Sequence, residues 1–209
     1  MSRFITFEGP EGSGKTTQIK LLQQALLDQG HALLFTREPG GTSIGEQVRD
    51  VLHDLQNTAM LPSTEALLYC AARAQLVGQV LRPAMEQGTI VISDRYATST
   101  MAYQGYGHGL DLEALESLIQ FATDGLMPDL IIYLDLLVTH GLERKQRDRD
   151  QGTGEWTRMD EQKVAFHQRV RRGYLAMAAA APEQWLVIDA TQSIEAIHEM
   201  IVQRVVSML

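Results

Sequence analysis

Residues Gly9 to Thr16 read Gly-Pro-Glu-Gly-Ser-Gly-Lys-Thr, two glycines five positions apart followed by a lysine and a hydroxyl side chain. That spacing suits a phosphate. A short β-prone run, Phe4 to Glu8, precedes it, and Ile19, Leu22 and Leu26 recur behind it at helical spacing. Strand, glycine-rich turn and helix N-terminus in that order converge backbone N–H groups and the positive end of a helix dipole on phosphate oxygens. Lys15 then reaches the terminal phosphates and Thr16 can ligate Mg²⁺. Such a loop also needs a carboxylate for the metal ion or its water, and two candidates end apolar runs, Asp94 and its rival Asp135. Arg37 and Arg95 follow apolar runs as well, and a triphosphate already served by Lys15 has no evident need of them. Two surplus guanidiniums imply a second anion, and their fork geometry suits a phosphate monoester. The alternative is that Arg37 pairs with Glu38 and Arg95 with Asp94.

The elements that must position these groups alternate between apolar runs and amphipathic stretches. His31 to Thr36 reads as a second buried strand, Thr89 to Ser93 as a third, Leu130 to Leu134 as a fourth and Trp185 to Ile188 as a fifth. Between them, Ile44, Val48, Val51, Leu52 and Leu55 mark one face of a helix that carries Arg49. A longer helix from Ser63 to about Arg82 is expected to turn Leu67, Ala71, Ala74 and Leu81 inward, with Pro83 kinking or restarting it. Tyr69 and Arg73 stand one helical turn apart on it and share a face. Ala97 to Gln104 reads as helical, Gly105, Gly107 and Gly109 as a mobile loop, and Leu112, Leu115, Leu118, Ile119 and Ala122 as another helix. Arg144 to Arg172 holds nine of the eighteen basic residues, so whatever cations a substrate needs beyond the strand ends come from here. It reads as two helices with a flexible tip at Gln151 to Gly154. Ser193 caps a last helix on Ile194, Ile197, Ile201, Val205 and Met208. Five apolar strands separated by helices predict an α/β fold of three layers, a parallel sheet with helices on both faces.

The 209 residues suffice for one domain without disulfides or a structural metal. A net charge of −8 argues against sequence-independent nucleic-acid binding, so an anionic substrate must be met locally. Cys70 is the only cysteine and is expected to be a small core residue; the six histidines lack metal-ligand spacing. No apolar run approaches membrane-spanning length, and a soluble, cytoplasmic protein is expected.

Beyond the phosphate loop, the runs TREPGGT at 36–42, YCAARAQLV at 69–77, SDRY at 93–96, AYQG at 102–105 and FHQRVRRGYL at 166–175 span nearly the whole chain. In this order they closely resemble the bacterial thymidylate kinases, and TREPGGT followed by DRY and AYQG is far more specific than the loop alone. The resemblance implies transfer of the γ-phosphoryl group of ATP to dTMP, giving dTDP and ADP, with Mg²⁺, in a cytoplasmic homodimer. It implies a single P-loop kinase domain over 1–209 with sheet order 2-3-1-4-5 and a helical lid at about 143–160. ATP would be bound by Gly9, Pro10, Glu11, Gly12, Ser13, Gly14, Lys15, Thr16 and Thr17, by Arg144 packing on adenine, and by Ala190, Thr191 and Gln192 bordering the base. Arg37 and Arg95 would grip the dTMP phosphate, and Tyr69 would stack on thymine. Arg73, Arg49 and Thr100 would address the polar edge of thymine. Tyr103 would lie under the sugar where a 2′-hydroxyl would clash, with Gln104, Ser99 and Glu11 nearby. Thr16 and Asp94 would serve the metal ion, Asp94 through water.

The phosphate loop contains no arginine, although some members of that family place one there. The cation for the transferring phosphoryl group is therefore expected from the lid, with Arg158, taken as the start of the helix after the tip, as the candidate. Lys15, Arg37, Asp94, Arg95 and Arg158 make up the expected catalytic set, while Arg147 and Arg149 read as a solvated face. Thr157 and Asp160 stand where relatives often carry Asp and Glu, which leaves the register around Arg158 open; Thr98 stands where an acidic residue is common in relatives. A GTPase switch is disfavoured because the only asparagine, Asn57, precedes a threonine rather than the Lys of a guanine-recognition motif. Another nucleotide or deoxynucleoside kinase, or a nucleotide-binding module without catalysis, are the remaining alternatives.

Overall fold

The computed structural model describes residues 2–152 and 156–209, apart from the side chain of Asp148. Strands β1 (Phe4–Glu8), β2 (Leu33–Arg37), β3 (Ile90–Asp94), β4 (Leu130–Asp135) and β5 (Trp185–Asp189) form one parallel sheet of order β2-β3-β1-β4-β5, as expected. The helices are α1 (Lys15–Asp28), α2 (Ser43–His53), α3 (Pro62–Leu76), α4 (Arg82–Glu86), α5 (Ala97–Thr100), α6 (Leu112–Thr123), α7 (Val138–Asp150), α8 (Val164–Ala180) and α9 (Ile194–Val206). Two π-helical stretches, Val77–Leu81 and Met101–Gly107, join α3 to α4 and extend α5.

Side chains alternate across a strand, so β1 sends Ile5 and Phe7 toward α1 and α9 and Phe4 toward α3 and α6. On β4, Ile131 and Tyr133 meet Phe166, Val170 and Tyr174 of α8. Phe4, Ile5, Phe7, Leu22 and Leu26 are fully buried, each worth about 1.5–3 kcal/mol by area. The switch of chain direction between β1 and its two neighbours opens a crevice at the C-terminal strand ends, where ligands of open α/β sheets bind.

Several details differ from expectation. On α3 the buried stripe is Glu65, Ala66, Cys70, Ala72, Arg73 and Leu76, whereas Leu67, Ala71 and Ala74 are exposed, because a charged pair and the neighbouring strands claim the other phase. Of the α2 positions only Leu52 is buried; Ile44, Val51 and Leu55 face out. β2 lies at the sheet edge and leaves Phe35 exposed rather than buried. Gly105 and Gly107 belong to the π-helical stretch and not to a loop: a Cβ would meet Leu112 at Gly105 and Phe166 at Gly107, which is why glycine stands at both. Pro83 stands in the first turn of α4, where the helix restarts after the π-helical stretch, as expected. The expected flexible tip falls partly on 153–155, outside the described residues.

Candidate active site

The phosphate loop joins β1 to α1. At Gly9 φ is +145° and a Cβ would sit 2.7 Å from the carbonyl oxygen of Leu134; at Gly12 φ is +71° and a Cβ would sit 2.9 Å from Cβ of Arg144. Both positions therefore require glycine. Lys15 is buried, and its Nζ donates to the carbonyls of Gly9 and Pro10, each at 3.0 Å. Burial lowers its pKa more than Glu11 raises it. Thr16 is exposed at the mouth of the same cleft.

At the neighbouring strand ends, Arg37 and Arg95 do not take the partners adjacent in sequence. Arg37 meets Glu46 at 2.9 Å and is half exposed. Arg95 meets Glu11 at 2.6 Å, lies 3.9 Å from Glu8, and stacks its guanidinium over the Tyr103 ring at 5.2 Å. Its backbone is left-handed, φ +71°, a strained geometry for a side-chain-bearing residue that costs about 1–3 kcal/mol. Glu8, fully buried, holds this turn: Oε1 accepts from Tyr96 N and Thr98 Oγ1, and Oε2 accepts from Ser99 Oγ and Tyr174 Oη. Glu38 pairs instead with Arg73, at 2.7 Å and 2.9 Å, and Arg73 also donates to Tyr96 O and Thr100 Oγ1. Burial would lower the Arg73 pKa, but Glu38 raises it beyond its usual value.

One cavity of about 570 Å³ spans the phosphate loop and these strand ends. Its wall includes Pro10, Glu11, Gly12, Gly14, Lys15, Thr16 and Thr17 on one side and Arg37, Arg49, Tyr69, Arg73, Asp94, Arg95, Ser99, Thr100, Tyr103 and Gln104 on the other. Arg49 donates to Pro39 O at 3.1 Å. Asp94 Oδ1 is buried without a hydrogen-bond partner among the described residues, whereas Asp135 is clamped at both oxygens by Arg171, each at 2.7 Å. Of the two carboxylates, Asp94 is thus the one left for a water or ion.

A thymidylate kinase family model matches residues 7–201. The chain belongs to the thymidylate kinase family. It is 53% identical over 208 residues to the thymidylate kinase of Roseiflexus sp. (strain RS-1), covering 96% of this chain and 92% of that one. To the thymidylate kinase of Geotalea uraniireducens (strain Rf4) it is 47% identical over 211 residues, covering 100% and 99%. The crystal structure of the thymidylate kinase from Ehrlichia chaffeensis superposes with a TM-score of 0.77 at 31% identity, covering 98% of each chain.

Within the thymidylate kinase fold of this chain, the segment expected to form a lid departs most from expectation. Arg158 does not begin a helix, since α8 starts at Val164, and it does not line the cavity. Its guanidinium is buried, donating to Leu52 O at 3.0 Å and to Glu65 Oε2 at 2.6 Å. The cations of this segment on the cavity wall are Arg144, Lys145 and Arg147; Arg147 is exposed, as expected, and also borders the cavity. Arg149 stacks over the Trp156 ring at 4.5 Å. Arg144 donates to Gly12 O at 3.0 Å, tying α7 to the phosphate loop. Gly9, Ser13, Ala190, Thr191 and Gln192 are not on the cavity wall; the last three follow β5, where Thr191 is bonded to Asp189.

The departures from the family pattern are met locally. Asp160 Oδ2 accepts from Thr157 N and Oγ1, at 2.8 Å and 2.9 Å, so the two exceptional residues complete one turn together. Thr98 donates to Glu8 at 2.7 Å, where an acidic side chain would have faced a carboxylate. Sequence reasoning missed Glu8, Glu65 and the Glu38–Arg73 pair. A carboxylate in phase with an apolar stripe was the available signal for Glu65, and an acidic residue ending a mostly apolar strand was the signal for Glu8.

Proposed function

We propose that the chain transfers the γ-phosphoryl group of ATP to the phosphate of dTMP, releasing ADP and dTDP. The carrying observation is the single cavity with a phosphate loop at one end and Arg37 and Arg95 at the other, close to Tyr69, Arg73 and Gln104. An oxygen of the dTMP phosphate attacks the γ-phosphorus as the bond to the bridging oxygen breaks, and the leaving ADP takes the electrons. Two polyanions must approach, so catalysis consists of placing cations where charge accumulates. Lys15 serves the ATP phosphates, Arg95 and Arg37 hold the acceptor, and Lys145 and Arg147 of the lid are positioned to cover the transferring group.

A magnesium ion fits the residues present: Thr16 offers a hydroxyl and Asp94 an unpaired carboxylate oxygen. Among the described residues no cluster of three or more acidic, His or Cys side chains could hold a metal alone, so phosphates and water would complete its shell. When bound, it would neutralise phosphate charge. Tyr103, stacked under Arg95, would form the floor of the deoxyribose site, with Ser99, Thr100 and Glu11 on the same cavity wall. The proposal includes a homodimer, supported by apolar side chains left exposed on α2, α3 and α6, among them Ile44, Leu67 and Phe121. No described helix is long and apolar enough to cross a membrane, and a cytoplasmic setting is part of the reading.

The test is ADP release with ATP and Mg²⁺ against dTMP, dUMP and thymidine. Turnover of dTMP, weaker turnover of dUMP and none of thymidine is expected, because two arginines at the acceptor end call for a phosphate already present. Equal turnover of thymidine would overturn the proposal.

A further inference from the structure

Glu65 lies outside the expected site and is almost fully buried on α3, yet three side chains converge on it. Oε1 accepts from Gln104 Nε2 at 2.7 Å and lies 3.5 Å from His108 Nε2, while Oε2 accepts from Arg158 at 2.6 Å. Burial pushes its carboxyl pKa up, but the nearby His108 and the hydrogen bonds from Arg158 and Gln104 outweigh that and hold it below the usual range. At neutral pH it is therefore an acceptor only.

An acceptor-only partner dictates which end of a glutamine amide it meets. The nitrogen of Gln104 must turn toward Glu65, since its oxygen would face another oxygen. Gln104 is otherwise buried but lines the cavity, and its Oε1 takes no hydrogen bond among the described residues. We infer that Glu65 is a positioning residue for base specificity: it fixes the Gln104 amide with its oxygen available to the N3–H of thymine. Cytosine presents an acceptor at N3 and is met by oxygen against lone pair. Arg73, anchored through Nε and Nη2 to Glu38, adds a donor on the side of the thymine O4. This rests on the proposed dTMP site, and it gives Arg158 a different role from the one its lid position suggested. Arg158 saturates the far oxygen of Glu65, so that only the near one addresses Gln104.

The geometry makes an unusual demand of Glu65→Gln. Arg158 can only donate, so the amide introduced by that substitution must turn its oxygen to Arg158 and its nitrogen to Gln104. Gln104 then accepts and reverses, offering N–H to the base, which suits N3 of cytosine and opposes N3–H of thymine. The experiment measures kcat/KM for dTMP, dUMP and dCMP on the wild type, on Glu65→Gln and on the double variant Glu65→Gln/Gln104→Glu, whose carboxylate at 104 restores an acceptor. The single variant should lower the dTMP to dCMP ratio by about 10–100-fold, the range for facing like groups in a buried site. dUMP, with the same N3–H edge, should fall with dTMP, and the double variant should recover the preference to within about threefold. A ratio unmoved in Glu65→Gln, with all substrates lowered alike, would overturn the inference while leaving dTMP kinase activity intact. Absence of dTMP turnover by the wild type would instead remove the proposed function. If Glu65→Gln does not fold, the double variant decides, since loss of its dTMP preference overturns the inference and its retention upholds it.

Discussion

Replacing Arg73 with alanine exposes how the acceptor end is held. The Arg73 and Glu38 side chains are 1% and 4% accessible, and their charged atoms approach to 2.7 Å. Truncating Arg73 leaves a buried carboxylate without its cation and strips a donor from Tyr96 O and Thr100 Oγ1. Breaking one side of such a pair costs about 3–5 kcal/mol. At about 2–4 °C per kcal/mol for a chain of this size, the melting temperature should fall by about 6–20 °C. The pH dependence sharpens the test. Once Arg73 is gone, the remaining influences on Glu38, burial and the Glu8 charge, both raise its pKa. A carboxyl whose folded pKa exceeds its unfolded value of about 4.3 stabilises the fold in its protonated form, and that stability is lost as pH rises through the folded pKa. The deficit of Arg73→Ala should therefore be larger at about pH 8 than at about pH 5. Thermal and denaturant unfolding of wild type and variant across that range measures it. The paired replacement Glu38→Gln/Arg73→Met, which removes both charges, should cost much less than Arg73→Ala while still weakening dTMP binding. A deficit below about 1 kcal/mol, or one that grows as pH falls, would refute the reasoning.

Arg147→Ala should lower kcat by one or more orders of magnitude with dTMP binding within a few-fold, whereas Arg158→Ala should lower stability and dTMP specificity with the smaller effect on kcat; steady-state kinetics with equilibrium dTMP titration distinguishes them. Tyr103→Ala should raise kcat/KM for the ribonucleotide analogue relative to dTMP, and an unchanged ratio would reduce Tyr103 to packing. For Glu11, burial opposes ionisation but Lys15, Arg95 and Lys145 together hold its pKa well below the usual carboxylate range. A depressed pKa gives stability that is present above the unfolded value of about 4.3 and lost as pH falls toward the folded one, so acid unfolding should begin less steeply in Glu11→Gln than in the wild type.

Much of the fold was legible because the strands are short, mainly apolar runs and some boundaries carry turn chemistry, as at Ser193. The phosphate loop was legible because Gly9, Gly12 and Lys15 are neighbours in sequence. What escaped are interactions between residues far apart in the chain: Glu38 with Arg73, Glu8 with Tyr174, and Glu65 with Arg158. No local spacing encodes such pairs. Arg158 illustrates the consequence, because the absence of an arginine from the phosphate loop directs attention to the arginines between β4 and α8, yet only the fold reveals which of them is already engaged. On α3, apolar periodicity chose Leu67, Ala71 and Ala74, and the phase was wrong because buried charges occupy the inward stripe that hydrophobicity alone would have given to leucine.

The central claim is that one cavity holds two phosphate sites, the loop around Lys15 for ATP and the Arg37–Arg95 end for dTMP. Calorimetric titration of dTMP into protein saturated with Mg²⁺ and a non-hydrolysable ATP analogue tests it most directly. Simultaneous binding is predicted, one dTMP per chain with affinity undiminished by the analogue and strongly reduced by Arg95→Ala. Mutual displacement of the two ligands, or dTMP binding indifferent to Arg95→Ala, would contradict it.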